Sequence, residues 1–334
     1  GLVVYGGVSL AIYTHGICQE FYHAVRGRGI YKLVKALTDA DLVVDLISGS
    51  SAGGINGILL GYAIANSNER ELVDFSAFAK IWRTSGDLLK LLQKPQLFKS
   101  QIGSASSNSE SFYQRGLLLT LIKAIEYKLP RSQQEWFSPT KELDLAIAAT
   151  DYLGKVDRKL DENRLNLTSK NHRTLFRLKH RQGRKEPFNP YYNDPTLPRT
   201  PNDTYQALVK LCQITAGTPV IFPLVEVDLN DRLNLVDRQL VIWGKLSKHY
   251  APDLPTRSDK LYFLDGGLLD NTPLTCLMKE AYYRLPSRQG QRKLFYVDPN
   301  PESLNDRLQL SSKKQSRMGQ ILQAAALSIP IHQS

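Results

Sequence analysis

A serine placed between a predicted strand and a predicted helix is the first residue of this sequence that could do chemistry. The segment Gly49-Ser-Ser-Ala-Gly53 follows a short apolar run, Leu42 to Ile47, which is predicted to be a buried strand. Ile55 to Ala65 then has the pattern of a helix. A strand, a sharp turn of small residues and a helix form the nucleophile elbow that presents a serine hydroxyl to a carbonyl carbon. We therefore predict that Ser51 is a nucleophile, with Gly49 and Gly53 allowing the turn to close.

The helix after the turn gives this serine a favourable electrostatic setting. Because Ser51 opens the helix, the free N–H groups and the positive end of the helix lie beside a developing oxyanion. The pattern Gly-x-Ser-x-Gly also occurs by chance. A glycine-rich turn in which Ser50 or Ser51 only caps the helix is therefore the alternative.

A serine nucleophile needs a base, and the sequence favours a carboxylate over a histidine. Asp265 ends a predicted strand, Leu261 to Leu264, at the kind of strand end where α/β sheets build their sites, and Gly266 and Gly267 follow it. A carboxylate is a weak base toward a hydroxyl, but desolvation raises its pKa. A plain turn is the alternative for Asp-Gly-Gly. None of the six histidines follows a strand in the manner of an α/β-hydrolase triad: His15, His23, His172, His180, His249 and His332.

A pair of glycines, Gly6 and Gly7, lies between a first predicted strand, Leu2 to Tyr5, and a predicted helix, Ser9 to Val25. Such a junction makes a cradle of backbone N–H groups for an anion. Nucleotide binding fits poorly, since neither G-x-G-x-x-G nor G-K-[ST] occurs here. A tight turn without a ligand is the other alternative.

Strands that alternate with helices along the chain predict an α/β fold, with a mostly parallel central sheet covered by helices on both faces. Leu143 to Asp151 is predicted to be an interior strand and Lys293 to Asp298 the last strand. Ile30 to Leu37 is predicted to be the end of a helical region or a loop. The apolar stripe of the helix Glu69 to Trp82 is predicted to belong to the core. Its members are Leu72, Phe75, Phe78, Ala79 and Trp82.

The whole chain, residues 1–334, is predicted to form a single domain. Two of its segments are predicted to lie outside the regular alternation of strands and helices. Residues 155–200 are polar, basic and rich in proline, and are predicted to form an antiparallel insertion or edge hairpin. Within it, Arg173 to Arg181 alternates like an exposed strand with a solvated charged face. Residues 86–112 are predicted to be a lid or a flexible loop, and a packed surface helix over Leu88 to Phe98 is the alternative.

Composition narrows the partners. The 334 residues include 43 Lys+Arg against 32 Asp+Glu, a formal net charge of +11 that favours phospholipid head groups, nucleic acid or acidic proteins. Nucleic acid is disfavoured because no aromatic-interleaved basic motif or helix-turn-helix pattern occurs. We expect no metal and no cofactor, since no His/Cys/carboxylate cluster has ligand spacing.

The cysteines and the chain ends bear on location. Three cysteines far apart, Cys18, Cys212 and Cys276, predict free thiols in a reducing compartment. No apolar run of about 18 residues predicts a transmembrane helix. The chain starts at Gly1 without a methionine or a signal peptide, which we interpret as a trimmed start. We expect a cytoplasmic or peripheral membrane location.

Three motifs in register resemble the patatin-like phospholipases. These are Gly6-Gly7 after the first strand, Gly49-Ser-Ser-Ala-Gly53, and Asp265-Gly-Gly, which continues through Asn271 to Pro273 in the pattern D-G-G-x-x-x-N-x-P. The segment Phe295 to Pro301 is similar to the closing strand of that family. The resemblance spans nearly the whole chain and is nearest to the bacterial patatin-related branch whose first motif reads G-G-V-S-L.

The resemblance implies a three-layer α/β fold and a lipid acyl hydrolase with a Ser-Asp dyad. Ser51 would attack an ester of a phospholipid or another acyl ester, Asp265 would be the base, and the backbone N–H groups of Gly6, Gly7 and Val8 would form the oxyanion hole. The chain departs from the common pattern G-G-G-x-[RK]-G, because it has no cation in its first motif. That departure motivates an alternative, a non-catalytic module that binds anionic lipid surfaces. The oligomeric state is left open by the sequence.

Overall fold

The structure is a computed structural model that describes residues 1–7, 11–66, 75, 78–79, 82, 140–160, 166–182, 187–191, 201–218, 224–230, 234–247, 259–271, 273–284 and 291–298. The strands are β1 (Leu2–Val4), β2 (Leu46–Gly49), β3 (Glu142–Leu160), β4 (Asn166–Arg181), β5 (Val225–Asp228), β6 (Lys260–Asp265) and β7 (Phe295–Val297). The helices are α1 (Ala11–Val25), α2 (Ile30–Thr38), α3 (Ser51–Asn66), α4 (Pro201–Thr215), α5 (Leu235–Gly244) and α6 (Leu274–Tyr283). A short 3₁₀ helix covers Gly266–Leu268.

The strands form one sheet in the order β5-β6-β3-β2-β1-β7, with β4 paired to β3 outside this path. The predicted parallel arrangement is present in β7-β1-β2-β3, which all run in the same direction. The strands β4, β5 and β6 add antiparallel pairs, so the whole sheet is mixed. The α/β fold class predicted from the sequence is confirmed.

Helices cover both faces of the sheet because successive strand residues point to opposite sides. Leu2 and Val4 belong to the large buried cluster that includes residues of α1, α3, α4 and α5. Val3, between them, packs with Leu46 and with Leu277 of α6 in a separate cluster. The three layers implied by the resemblance are therefore present.

The strand before the elbow begins later than the sequence predicted. Its apolar run was expected from Leu42, but β2 begins at Leu46, and Leu42 and Val43 are 42% and 56% exposed. The pairing explains the difference. Pairing with β1 covers Ile47 to Gly49, and pairing with β3 adds only Leu46. Apolar character alone does not extend a strand beyond the neighbours that can pair with it.

The segment expected as an exposed hairpin strand is more deeply integrated than predicted. β4 is antiparallel to β3 along almost its whole length, which agrees with the predicted antiparallel insertion. Phe176 and Leu178 are fully buried, and Phe176 packs edge-on against Phe263 with ring centroids 5.5 Å apart. The charged residues Arg177 and Lys179 occupy the opposite, exposed face. The prediction of a solvated strand is therefore wrong for one of the two faces.

Other predicted segments are described only in part. Phe75, Phe78 and Trp82 are buried, as expected of a core stripe, and the Trp82 indole N–H donates to Asn56 Oδ1 at 2.9 Å. The predicted lid at 86–112 and Leu72 lie outside the described residues. The segment Ile30 to Leu37 proves to be a helix of its own, α2, without a buried residue. Among the described helices, none has the length and apolar character needed to cross a bilayer.

Candidate active site

A strained turn connects β2 to α3 at the predicted nucleophile. Ser51 is the first residue of α3 and has a φ of 53°, in the left-handed region that non-glycine residues rarely adopt. The small neighbours predicted from the sequence are needed here. A Cβ at Gly49 would lie 2.9 Å from the Gly53 carbonyl oxygen, and a Cβ at Gly53 would lie 2.2 Å from the Tyr5 carbonyl oxygen. The turn thus has the shape of a nucleophile elbow.

A threonine at the end of α4 holds this turn in place. The backbone N–H of Ser51 donates to Thr215 Oγ1 at 3.0 Å. The same hydroxyl donates to the Ala148 carbonyl oxygen of β3 at 2.8 Å. Thr215 is fully buried, so it satisfies two backbone groups that water cannot reach. The left-handed conformation of Ser51 typically costs about 1–3 kcal/mol, and these tertiary hydrogen bonds hold the residue in it.

The structure brings Asp265 to Ser51. Ser51 Oγ donates a hydrogen bond to Asp265 Oδ2 at 2.8 Å, and the two residues are 7% and 6% exposed. The backbone of Asp265 is anchored as well. Its N–H donates to the Gly217 carbonyl oxygen at 3.0 Å, and its carbonyl oxygen accepts from Thr150 Oγ1 at 2.8 Å. The carboxylate therefore has little freedom to move away from the serine.

Three donors surround the Asp265 carboxylate. Oδ2 accepts from Ser51 Oγ and, at 2.9 Å, from Thr218 Oγ1, while Oδ1 accepts from the Gly267 N–H at 2.8 Å. Burial raises the pKa of Asp265, and the hydrogen bonds from Gly267, Ser51 and Thr218 oppose that rise. A carboxylate with a raised pKa is a stronger base than one in water, which is the property a hydroxyl activator needs.

The loop after β1 passes directly beside the nucleophile. A Cβ at Gly6 would lie 2.7 Å from the Ser51 Cβ and 2.6 Å from Asn271 Oδ1. Gly7 has a φ of 154°, and Val8 lies outside the described residues. Gly266 is equally constrained, since its Cβ would lie 2.2 Å from the Ala148 carbonyl oxygen. Gly6 and Gly266 are therefore needed for the close approach of their backbone to neighbouring segments.

The described histidines lie elsewhere. His15 stacks on Phe75 with ring centroids 4.8 Å apart, and His172 Nδ1 lies 2.8 Å from the Asp151 carbonyl oxygen. His23 lies near Glu20, and His180 is buried. His249 and His332 lie outside the described residues. Within the described ranges, no group of three or more His, Cys, Asp or Glu side chains is placed to hold a metal ion.

Sequence reasoning missed the threonines of the site. Thr150, Thr215 and Thr218 hold Ser51 and Asp265 in place, yet none belongs to one of the three motifs. The stretch after α4 contains Gly217, Pro219 and Pro223, which indicate only a stiff loop. A threonine near a helix end has many ordinary uses, so a single sequence carries no distinct signal for these contacts.

Comparisons with known proteins identify the family of the chain. A family model described as patatin-like phospholipase matches residues 2–278. A protein of Mycobacterium tuberculosis described as an uncharacterized membrane protein is 24% identical over 324 residues. That match covers 88% of this chain and 27% of the relative, so the chain spans about a quarter of the relative's length. No solved structure matches the chain. Because the family model covers most of its length, the chain belongs to the patatin-like phospholipase family.

Proposed function

We propose that this chain is a lipid acyl hydrolase that cleaves carboxylic esters through a Ser51–Asp265 dyad and an acyl-enzyme. The observation that supports the dyad is the 2.8 Å hydrogen bond from Ser51 Oγ to Asp265 Oδ2 at the end of a strained elbow. Membership of a phospholipase family supports lipid acyl hydrolysis in general. A nucleophile in hydrogen-bond contact with a base that is itself oriented by a third group is the arrangement that covalent catalysis uses.

In the acylation half, Ser51 Oγ attacks the carbonyl carbon of the ester while its proton passes to Asp265 Oδ2. The carbonyl oxygen takes up the electron pair and becomes an oxyanion. As the tetrahedral intermediate collapses, the bond to the leaving alkoxide breaks, and Asp265 returns the proton to that oxygen. The alcohol departs and the acyl group stays on Ser51.

In the deacylation half, a water molecule occupies the place of the departed alcohol. Asp265 Oδ2 takes a proton from this water as its oxygen attacks the acyl carbon. Collapse of the second tetrahedral intermediate breaks the bond to Ser51 Oγ, which receives the proton from Asp265. A fatty acid is released, and both side chains return to their starting forms.

The oxyanion is proposed to be stabilised by the backbone N–H groups of the loop after β1. The N–H of Ser51 is already donated to Thr215, so other donors must serve. A Cβ at Gly6 would lie 2.7 Å from the Ser51 Cβ, so the Gly6 backbone passes close to the serine, and Gly7 and Val8 follow it in the chain. Each such donor is typically worth about 2.7–4 kcal/mol in the transition state. Because the first motif has no cationic side chain, we assign stabilisation of the oxyanion to the backbone N–H groups, assisted by Ser9.

Low exposure of the site favours an apolar acyl group. Ser51 and Asp265 are 7% and 6% exposed, so the ester carbonyl would be attacked where little water is present. A fatty acyl chain loses unfavourable contact with water on entering such a site. Phospholipase A or lysophospholipase activity is the proposed form of this hydrolysis. The formal net charge of +11 supports contact with anionic lipid surfaces.

Labelling with a fluorophosphonate probe tests the proposal. The wild-type chain is expected to be labelled, and Ser51→Ala is expected to abolish both labelling and hydrolysis of acyl esters. Ser50→Ala is the matched control, because the Ser50 hydroxyl has no hydrogen-bond partner among the described residues. Full-rate ester hydrolysis by Ser51→Ala would refute the dyad. An unlabelled wild type that still binds anionic vesicles would instead support the non-catalytic lipid-binding alternative.

A further inference from the structure

One short segment contacts both members of the proposed dyad. It runs from Thr215, the last residue of α4, to Thr218. Thr215 Oγ1 accepts from the Ser51 N–H, the Gly217 carbonyl oxygen accepts from the Asp265 N–H, and Thr218 Oγ1 donates to Asp265 Oδ2. We call residues 215–218 the threonine segment. It ties the elbow and the end of β6 to a single piece of backbone.

We propose that Thr218 is a positioning residue of the hydrolase, whose hydroxyl keeps Asp265 Oδ2 turned toward Ser51 and in the form that accepts a proton. The inference rests on the proposed function, because it takes Asp265 to be the base. It concerns a contact that lies outside the three motifs of the chain. Thr218 acts through Asp265 and is given no contact with the substrate.

The two carboxylate oxygens are held by different elements. The Gly267 N–H occupies Oδ1 at 2.8 Å, and Thr218 Oγ1 occupies one side of Oδ2 at 2.9 Å. Rotation about the bond to the carboxylate would break both contacts. The remaining side of Oδ2 faces Ser51 Oγ at 2.8 Å. Thr218 thus leaves that side as the place where a proton can arrive.

The same contact directs the proton after it has been transferred. With Thr218 still donating to Oδ2, the acquired proton stays on the side of this oxygen that faces Ser51. The leaving alkoxide departs from the acyl carbon bound to Ser51, so it lies on that side as well. The proton is therefore available to the leaving group and is not lost to the loop.

Thr218 also favours the ionised carboxylate, since a hydroxyl that donates to a charged oxygen stabilises the charge. Burial acts in the opposite direction on the pKa of Asp265, and the shift has no contribution from a charged side chain of the described residues. Asp270, on the run that follows β6, and Arg173, on β4, are ionisable groups of neighbouring elements. They act on each other, because Arg173 lowers the pKa of Asp270 that burial raises. The rise that burial causes in the pKa of Asp265 is therefore opposed by the Gly267 N–H and by the hydroxyls of Ser51 and Thr218.

The experiment compares Thr218→Val with Thr218→Ser in the full chain. Valine keeps the shape and removes the hydroxyl, while serine restores it. The first measurement is the titration of the Asp265 carboxyl carbon by 13C NMR, assigned with Asp265→Asn. Thr218→Val is expected to raise the midpoint by roughly one to two pH units, the equivalent of one hydrogen bond to a charged group. Thr218→Ser is expected to return it to the wild-type value.

The second measurement is the pH dependence of kcat/KM for a short acyl ester. The acid limb of Thr218→Val is expected to move to higher pH by the same amount, because the base must be ionised to accept the serine proton. Thr218→Ser is expected to restore the wild-type profile. Thr218→Ala provides the same comparison if valine prevents folding, which circular dichroism would reveal.

The two readouts separate the two ideas. An unchanged Asp265 midpoint in Thr218→Val and Thr218→Ala overturns the role of Thr218, whatever the activity. A wild type without Ser51-dependent turnover overturns the proposed hydrolase, while the NMR midpoint still decides whether Thr218 keeps Asp265 ionised. A shift that serine reverses, seen in both measurements, supports both.

Discussion

Gly49 and Asp265, the last residues of β2 and β6, lie opposite Ile147 and Ala149 on β3, so the two strands end two positions apart. Because β4 occupies the other edge of β3, the strands β2 and β6 share one edge of it and approach each other from opposite directions. Ser51 follows the end of β2. The candidate site therefore lies where the ends of two antiparallel strands meet. Pairing of both strands with β3 brings together Ser51 and Asp265, which are 214 residues apart in the sequence.

Replacement of Asp265 by asparagine tests its proposed role as the base. The amide keeps the shape of the side chain but cannot accept the serine proton, so kcat/KM is expected to fall by about 10²- to 10⁴-fold. Steady-state hydrolysis of a short acyl ester measures the effect. Asp270→Asn is the matched control, since Asp270 lies on the same run but is not among the groups that contact the Asp265 carboxylate. An Asp265→Asn protein with the wild-type rate would show that another group is the base.

The same substitution is expected to stabilise the protein at neutral pH. Burial raises the pKa of Asp265 above the ordinary value of an aspartate, so the folded state binds its proton more tightly than the unfolded state. Stability associated with this group is present below the unfolded pKa and is lost as the pH rises through the folded pKa. Asparagine has no proton to lose in this pH range, so Asp265→Asn avoids this loss of stability at higher pH. Its free energy of unfolding should therefore exceed the wild-type value at pH 7.5.

Urea unfolding at several pH values measures this difference. The gap between Asp265→Asn and wild type should narrow as the pH falls toward the unfolded pKa, because the wild-type carboxyl becomes protonated and neutral. A gap that is the same at pH 7.5 and near pH 4 would mean that the ionised carboxylate does not destabilise the fold. The comparison uses two folded proteins of the same shape, so packing changes contribute little to it.

The sequence predicted the residues whose local context is self-contained. Ser51 and Asp265 each follow or end a predicted strand and have glycines beside them. The structure brings the two side chains into hydrogen-bond contact. The family that the motifs resemble is confirmed by the family model. The direction of β6 was not predicted. The sequence placed Asp265 at a strand end in a mostly parallel sheet, and the structure shows that this strand, β6, is antiparallel to β3. Strand direction depends on pairing partners that a single sequence does not specify.

The burial of one face of β4 is a second feature that a single sequence does not specify. Its alternating charges suggested an exposed strand, and on one face this holds for Arg177. The other face carries Phe176, which is fully buried against residues far away in the sequence. An alternating pattern predicts a strand with two unlike faces, but how much of the apolar face is covered depends on the tertiary structure.

Two helical glycines provide a paired test of the close approach at the elbow. A Cβ at Gly53 would lie 2.2 Å from the Tyr5 carbonyl oxygen and 2.3 Å from that of Val4, so Gly53→Ala is expected to prevent folding or to displace the loop after β1. Among the described residues, Gly16 in α1 has no heavy atom beyond its chain neighbours and its own helix backbone within 4 Å of its Cβ position. Gly16→Ala is therefore expected to raise stability by about 0.5–1 kcal/mol, through the higher helix propensity of alanine.

Thermal unfolding of the two alanine variants measures the contrast. Gly53→Ala should show a large loss of Tm or no cooperative transition, and Gly16→Ala a small gain. A Gly53→Ala protein with the Tm and the esterase activity of the wild type would contradict the close packing of α3 against β1.

Removal of the Thr215 hydroxyl is expected to weaken both the fold and the catalysis. The hydroxyl accepts from the Ser51 N–H and donates to the Ala148 carbonyl oxygen, and Thr215 is fully buried. Thr215→Val leaves these two backbone groups unpaired, at about 1–3 kcal/mol each. The strained backbone of Ser51 also loses the hydrogen bond that holds it. We therefore expect kcat to fall even under conditions in which the variant is fully folded.

Serine at position 215 separates the hydroxyl from the methyl group. Thr215→Ser keeps both hydrogen bonds and loses only a methyl group, which is worth about 1 kcal/mol of burial. We therefore expect Thr215→Ser to retain kcat near the wild-type value with a slightly lower Tm, while Thr215→Val loses both. Urea unfolding and ester hydrolysis of the two variants are compared at one pH above the acid limb. Equal kcat values for the two variants would show that the hydroxyl does not hold the nucleophile, because only the hydroxyl distinguishes how they bind Ser51.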